Sequence, residues 1–152
     1  MTMILFGIVL LEGIDAELMS LPIIKQADLV QVWFADRANF GPEQRSSGPI
    51  RFRTARWEKL RPGDCTIDRS EITIRSDGSV QFIGRVKSKD NGDHYCVIVD
   101  FYDHDQFRLW RSPRICTPFE LTQNFKNWVD SDLSVPKAHY QSIAFALRED
   151  HC

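Results

Sequence analysis

The chain has 152 residues, 43% of them hydrophobic and 26% charged, and a formal net charge of −2. This composition fits one soluble domain, 1–152, with a core of its own, and excludes disordered, collagen-like and low-complexity chains. The near-neutral balance also excludes a molecule that acts as a whole through excess charge.

In chain order, Met3 to Leu11 is the longest apolar run, at nine residues. A membrane helix needs about 20. No basic segment precedes the run and no small-residue cleavage site follows it, so it reads as a buried strand rather than a signal peptide. Ala16 opens a short helical pattern that Pro22 ends. Leu29 to Phe34 is β-branched and aromatic and reads as a strand, with helix as the competing assignment; residues 12–40 stay open between the two. Residues 41–49, with two Gly, two Pro and two Ser, form a loop inside the domain. Ile50 to Trp57 alternates, with Arg51 and Arg53 on one side, and reads as a strand with a basic face. Arg61-Pro-Gly-Asp64 is a turn that places glycine where φ is positive.

Residues 70–111 read as four antiparallel strands joined by three turns. Asn91-Gly92 is the residue pair of a two-residue type I′ hairpin. That register sets Val80, Phe82 and Val86 on one apolar face with Phe101, Val99 and Val97, and places Lys87 opposite Cys96. At Ser76-Asp77-Gly78 a three-residue loop with Gly78 left-handed pairs Ile74 with Val80 and Ile72 with Phe82. A three-residue loop at Asp103-His104-Asp105 would set Phe107 beside Phe101, Arg108 beside Asp100 and Trp110 beside Ile98. Thr117-Pro118-Phe119-Glu120 has the form of a capping box, predicting a helix over 118–129 with Leu121, Phe125, Trp128 and Val129 on one stripe. Residues 130–136 read as a loop, and His139 to Leu147 as a strand. The predicted fold class is therefore α+β and β-dominated: an antiparallel meander curled toward a small barrel or sandwich, with one C-terminal helix packed on it.

Cys65, Cys96, Cys116 and Cys152 lack a C-x-x-C spacing. Without a secretory signal they read as free thiols in a cytoplasmic protein.

The line Trp57-x-x-Leu60-x-x-Gly63-Asp64-Cys65-Thr66, followed by Ile72-Thr-Ile, Asp77-Gly78, Phe82, Val86 and Asp90, resembles a family of small uncharacterised bacterial β-domains. The likeness covers about residues 50–130 and implies a compact β-rich fold. It implies no activity.

Side chains able to do chemistry are present without a recognised pattern. Asp100, Asp103, His104 and Asp105 could ligate a metal or move protons, but turn chemistry alone accounts for Asp at such positions. Asp90-Asn-Gly-Asp93 lacks the spaced ligands of a calcium loop. No metal or cofactor is expected. Cys96, with His94 two residues before it and Lys87 opposite, is the nucleophile candidate, against the plainer reading of an inert thiol. Arg45 to Arg61 holds six basic residues and one acidic. Arg51, Arg53, Arg56 and Lys59 are its candidates for contact with phosphate backbones, against the plainer reading of a solvated strand face. The outer face of the meander gathers Arg85, Ile98, Asp100, Tyr102, Arg108 and Trp110, residue types that anchor protein interfaces.

The reading that follows is a non-enzymatic binding protein acting by protein–protein contact, of the immunity or inhibitor type directed at a bacterial toxin. A small enzyme or ligand binder with its site in a β-barrel mouth is the second reading. Nucleic-acid binding through residues 45–61 is the third. No membrane partner is expected.

Overall fold

Side-chain alternation accounts for most of the architecture of residues 37–152, the part of the chain described by the computed structural model. The expectations for Met3–Leu11, residues 12–27 and Leu29–Phe34 fall outside it. The strands in chain order are β1 (Arg37–Asn39), β2 (Gln44–Arg45), β3 (Arg51–Trp57), β4 (Cys65–Arg75), β5 (Ser79–Ser88), β6 (Cys96–Tyr102), β7 (Arg108–Arg111), β8 (Ile115–Cys116), β9 (Lys126–Ser134) and β10 (Phe145–His151). They form two antiparallel sheets. The first runs β1-β10-β6-β7, with β8 also paired to β6, and the second runs β2-β3-β4-β5-β9. Val97, Val99 and Phe101 of β6 and Ala146 of β10 belong to the same core cluster as Ile72 and Ile74 of β4, Val80, Phe82 and Val86 of β5 and Trp128 of β9. Burying each such side chain contributes about 1.5–3 kcal/mol. The two sheets are thus the layers of a sandwich, and they do not close into a barrel.

The hairpin between β4 and β5 has the register expected from its turn. Ile74 pairs with Val80 and Ile72 with Phe82, and Gly78 has φ +91°. The loop tip is itself docked: the Val135 N–H donates to the Gly78 carbonyl at 2.9 Å.

The expected helix over 118–129 is absent. Among the described residues the helical structure is a single 3-10 turn, Lys137–His139, so the α+β assignment gives way to an all-β one. Residues 126–134 instead form β9, which supplies β5 with its second neighbour. The supposed apolar stripe dissolves under two-residue alternation: Trp128 is buried while Val129 is 56% exposed. Thr117 caps no helix; its hydroxyl accepts a hydrogen bond from the Tyr95 N–H at 3.3 Å. An unpaired sheet edge next to an apolar core outweighed a local capping signal.

The Asn91-Gly92 hairpin is also corrected, because β5 and β6 lie in different sheets. Gly92 has φ +97° but Asn91 is not positive, whereas a type I′ turn needs both. Residues 89–95 cross from one sheet to the other, held by backbone bonds between Gly92 N–H and Leu121 O (3.2 Å) and between Leu121 N–H and Asp93 O (2.7 Å).

In the third turn the register is shifted. Tyr102 pairs with Arg108, Phe101 with Trp110 and Asp100 with Arg111, around a bulge. Gln106, with φ 67°, takes the left-handed conformation expected of residues 103–105. The expected strand over 139–147 begins later, at Phe145, and continues to His151.

The cysteines are paired, against the expectation of free thiols: Cys65 with Cys152 and Cys96 with Cys116. The first closes 87 residues of sequence and the second 20. Spacing could not show this, since β10 returns the chain end to the start of β4.

Two predictions follow from the backbone. A Cβ on Gly78 would lie 2.7 Å from the Val135 carbonyl oxygen, whereas one on Gly92 would meet nothing within 4 Å. Gly78→Ala is therefore expected to lower stability by about 2 kcal/mol or more and Gly92→Ala by about 1 kcal/mol, measured by urea unfolding. Removing the longer disulfide by Cys65→Ser/Cys152→Ser should cost about 4.5 kcal/mol and Cys96→Ser/Cys116→Ser about 3 kcal/mol in the chain-entropy account. Equal losses from the two would contradict the assignment of loop lengths.

Candidate interaction site

Strand β6 turns Ile98, Asp100 and Tyr102 away from the core while Val97, Val99 and Phe101 face it. The bulge in β7 then places two arginines on the outward side. Arg111 lies directly across from Asp100 and donates Nη1 to its Oδ2 at 2.9 Å. Arg108 Nη1 lies 3.6 Å from the same oxygen. Arg111 also donates Nη2 to Glu149 at 2.6 Å, and His151 Nε2 lies 3.0 Å from the other oxygen of Glu149. The Arg111 hydrogen bond holds the Glu149 carboxyl below its usual value. Burial, then the charge of Asp100, raises the Tyr102 hydroxyl above its own. Tyr102 stacks on Phe145 with ring centroids 5.1 Å apart, and the Arg37 guanidinium lies 3.7 Å from the Phe145 centroid. At the end of the β6–β7 loop, directly before β7, Phe107 is 70% exposed. Asp103 positions it by accepting the Phe107 N–H at 2.9 Å.

Of the residues expected on one outer face, Ile98, Asp100, Tyr102 and Arg108 do come together. Trp110 does not, because it pairs with Phe101 and packs on that ring at 5.5 Å, toward the core. Arg85 belongs to the second sheet, where it contacts Asp68 at 3.4 Å and the Phe125 ring at 4.8 Å.

The basic stretch is dispersed. Ala55 and Trp57 are buried, so Arg53 shares their inward side. Its Nη1 donates to the Ile143 carbonyl at 2.6 Å and its Nε to Gly41 O at 3.2 Å. Arg51 contacts Glu43 at 3.2 Å and Arg56 contacts Glu71 at 2.9 Å. Lys59 lies beyond the strand. These four side chains form no common face.

The nucleophile candidate also changes character. Cys96 is bonded to Cys116, so its sulfur offers no thiolate while that bond persists. Lys87 is in the second sheet, not opposite it. His94 Nδ1 donates to the Thr117 carbonyl at 3.2 Å. Among the described residues no three His, Cys, Asp or Glu side chains gather as a metal site.

One cluster escaped sequence reasoning. Arg148 lies between the sheets with its side chain 0% exposed. Its Nε donates to Asp150 at 3.0 Å, its Nη1 donates to the Ser70 hydroxyl, and its guanidinium lies 5.4 Å from the Trp57 ring. Tyr95 donates its hydroxyl to Asp150. The available signal was the i, i+2 placement of Arg148 and Asp150 on the face that also carries Ala146.

Residues 71–152 match the model of DUF6294, a family of unknown function, and the chain belongs to that family. No curated protein and no solved structure matches it. The match starts within β4, while β3 and the first half of β4 lie in the same sheet, so the folded unit begins upstream of the matched span.

The charge network makes a pH prediction. A carboxyl with a lowered folded pKa adds stability above its unfolded value, and that contribution is lost as pH falls through the folded value. For Glu149 the ordinary value is 4.5, so its contribution should be complete above that pH and vanish on further acidification. Arg111→Gln should flatten the acid limb of a Tm-versus-pH curve; an unchanged limb would show that the Arg111–Glu149 bond has no linkage to folding.

Proposed function

We propose that this member of the DUF6294 family is a non-enzymatic binding protein that acts by protein–protein contact through the outer face of its first sheet. The observation that carries the reading is Phe107, an apolar ring 70% exposed at the end of a loop whose next residue, Arg108, is tied into the Asp100–Arg111–Glu149 network. Aromatic residues, Phe among them, and Arg are enriched at protein interfaces. Ile98 and Tyr102 extend the surface. The frame behind it is held by two disulfides, so little ordering is needed when a partner docks.

Within that reading the protein is of the inhibitor or immunity type, blocking a bacterial toxin by covering it. The disulfides favour work in an oxidising compartment over the cytoplasmic setting expected from cysteine spacing. The Trp57–Thr66 line that resembles small bacterial β-domains is then an upstream part of the same binding module. Arg85 and Trp110 are left out of the contact surface. The Arg51, Arg53 and Arg56 contacts leave no shared basic face for a nucleic acid.

The test is capture in parallel by wild-type protein, Phe107→Glu and Arg108→Ala, from extracts of the producing cells, followed by titration of any differential partner. A partner retained by the wild type and weakened about 30-fold or more by Phe107→Glu or Arg108→Ala supports the proposal. Identical retention by all three proteins would remove this face from consideration.

A further inference from the structure

On the second sheet, β-pairing gathers cations that are far apart in sequence. Leu60 and Ile67 form an antiparallel bridge. Ile67 is buried and Leu60 packs against the core, so Lys59 and Arg61, either side of Leu60, are turned to the outside. Thr66 also faces out, and it pairs with Lys87 of β5. Lys126 pairs with Val86, which brings Phe125 beside Lys87, with the ammonium 4.9 Å from the ring centroid. Lys89 completes the group, its backbone N–H bonded to Asp64 O. Together these residues line an open concavity of about 530 Å³.

Four of its lining side chains are cationic, and among the described residues no carboxylate lines it. The nearby acids are already engaged: Asp64 contacts Lys89 at 3.2 Å, and Asp93 accepts the Ser88 hydroxyl. Among the described residues, Lys59 and Arg61 have no carboxylate within salt-bridge distance. In the same sheet Arg51, Arg56 and Arg85 each contact an acid, Glu43, Glu71 and Asp68. Here Lys59 and Arg61 stand beside Lys87 and the Asp64-paired Lys89, in a molecule whose net charge is −2. Phe125 holds the array in place, since its ring carries both Lys87 and Arg85, the latter at 4.8 Å.

We propose that this concavity is a binding site for a phosphate or sulfate ester group. Lys59, Arg61 and Lys89 meet the oxyanion from the loop side and Lys87 from the sheet, and the Thr66 hydroxyl is available as a further donor. Several charge-assisted hydrogen bonds converging on one tetrahedral group are the chemistry that such a group requires. Phe125 is a positioning residue: it orders Lys87 and does not itself meet the anion. The site is separate from the Phe107 surface and stands or falls independently of it.

The experiment is calorimetric titration of the full, oxidised chain at low salt with two probes, inorganic pyrophosphate and size-fractionated heparin. Saturable binding is expected. Lys59→Ala/Lys87→Ala should weaken it about tenfold or more, while Arg45→Ala/Arg114→Ala, which removes the same charge from exposed positions elsewhere, should leave it within about twofold. Phe125→Leu should weaken binding while retaining Lys87, with thermal melts confirming that each variant is folded. Pyrophosphate binding identifies a small free ligand as sufficient; binding of heparin alone identifies an ester group on a polymer, and both support the site. Absence of saturable binding to either probe would overturn the proposal, as would equal losses in the two double variants.

Discussion

The placement of one sheet over the other depends on a charge buried between them. Arg148 comes from β10 in the first sheet, and its contacts reach Ser70 on β4 and Trp57 on β3 in the second. A guanidinium removed from water is costly unless a counter-charge and hydrogen bonds replace its hydration. Asp150 supplies the counter-charge from the same strand face, and Tyr95 binds the other carboxylate oxygen from the crossover. Among the described residues Nη2 has no hydrogen-bond partner, so the remaining bonds carry the compensation found there. The Cys65–Cys152 bond closes the same end of the sandwich: Cys65 opens β4 and Cys152 follows β10. The Arg148 contacts to Ser70 and Trp57 and the covalent link therefore fix one end, while aromatic contacts such as Phe82–Trp128 at 5.1 Å and Phe40–Phe101 at 6.0 Å fill the interior.

What could be read from the chain follows from how local each determinant is. The β4–β5 hairpin was legible because its turn chemistry and its alternation agree over a few residues, and Gly78 marks the loop. The relation between β5 and β6 was not. Two strands that face each other across a core show the same alternation as two neighbours in one sheet, since both turn every second side chain inward. Val80, Phe82 and Val86 do share a core with Val97, Val99 and Phe101, as the pattern required, but from opposite sides of it. Asn91-Gly92 then invited the wrong connection. The helix failed for a related reason. Thr117 and Glu120 satisfy a local rule, whereas the edge of β5, 40 residues upstream of Lys126 at its pairing partner Val86, is a distant requirement that no window over 117–129 contains. The disulfides depend wholly on tertiary return and were invisible to spacing.

For the surface, residue type was legible and assembly was not. Ile98, Asp100, Tyr102 and Arg108 were recognisable as interface-forming side chains, and strand alternation does gather them. Arg111 and Glu149, which orient them, come from a bulge and from β10. Lys59 was noticed as part of a basic run, yet its neighbours in space are Arg61, Lys87 and Lys89 rather than Arg51, Arg53 and Arg56. The result is a sandwich with two chemically distinct exteriors, one with an apolar anchor among matched charges and one where cations outnumber acids. Both rest on strands whose mutual position is set by the core behind them.

The most direct test of that dependence is a double-mutant cycle on the buried pair, read by urea unfolding with both disulfides intact. Arg148→Met leaves Asp150 buried without its counter-charge and is expected to cost about 3–5 kcal/mol. Asp150→Leu should cost a similar amount. The double variant, which removes both charges and keeps apolar volume, should lose much less than the sum of the two, with a coupling energy of about 2 kcal/mol or more. Additive losses, or single variants within about 0.5 kcal/mol of wild type, would show that the burial of Arg148 between the sheets does not depend on Asp150.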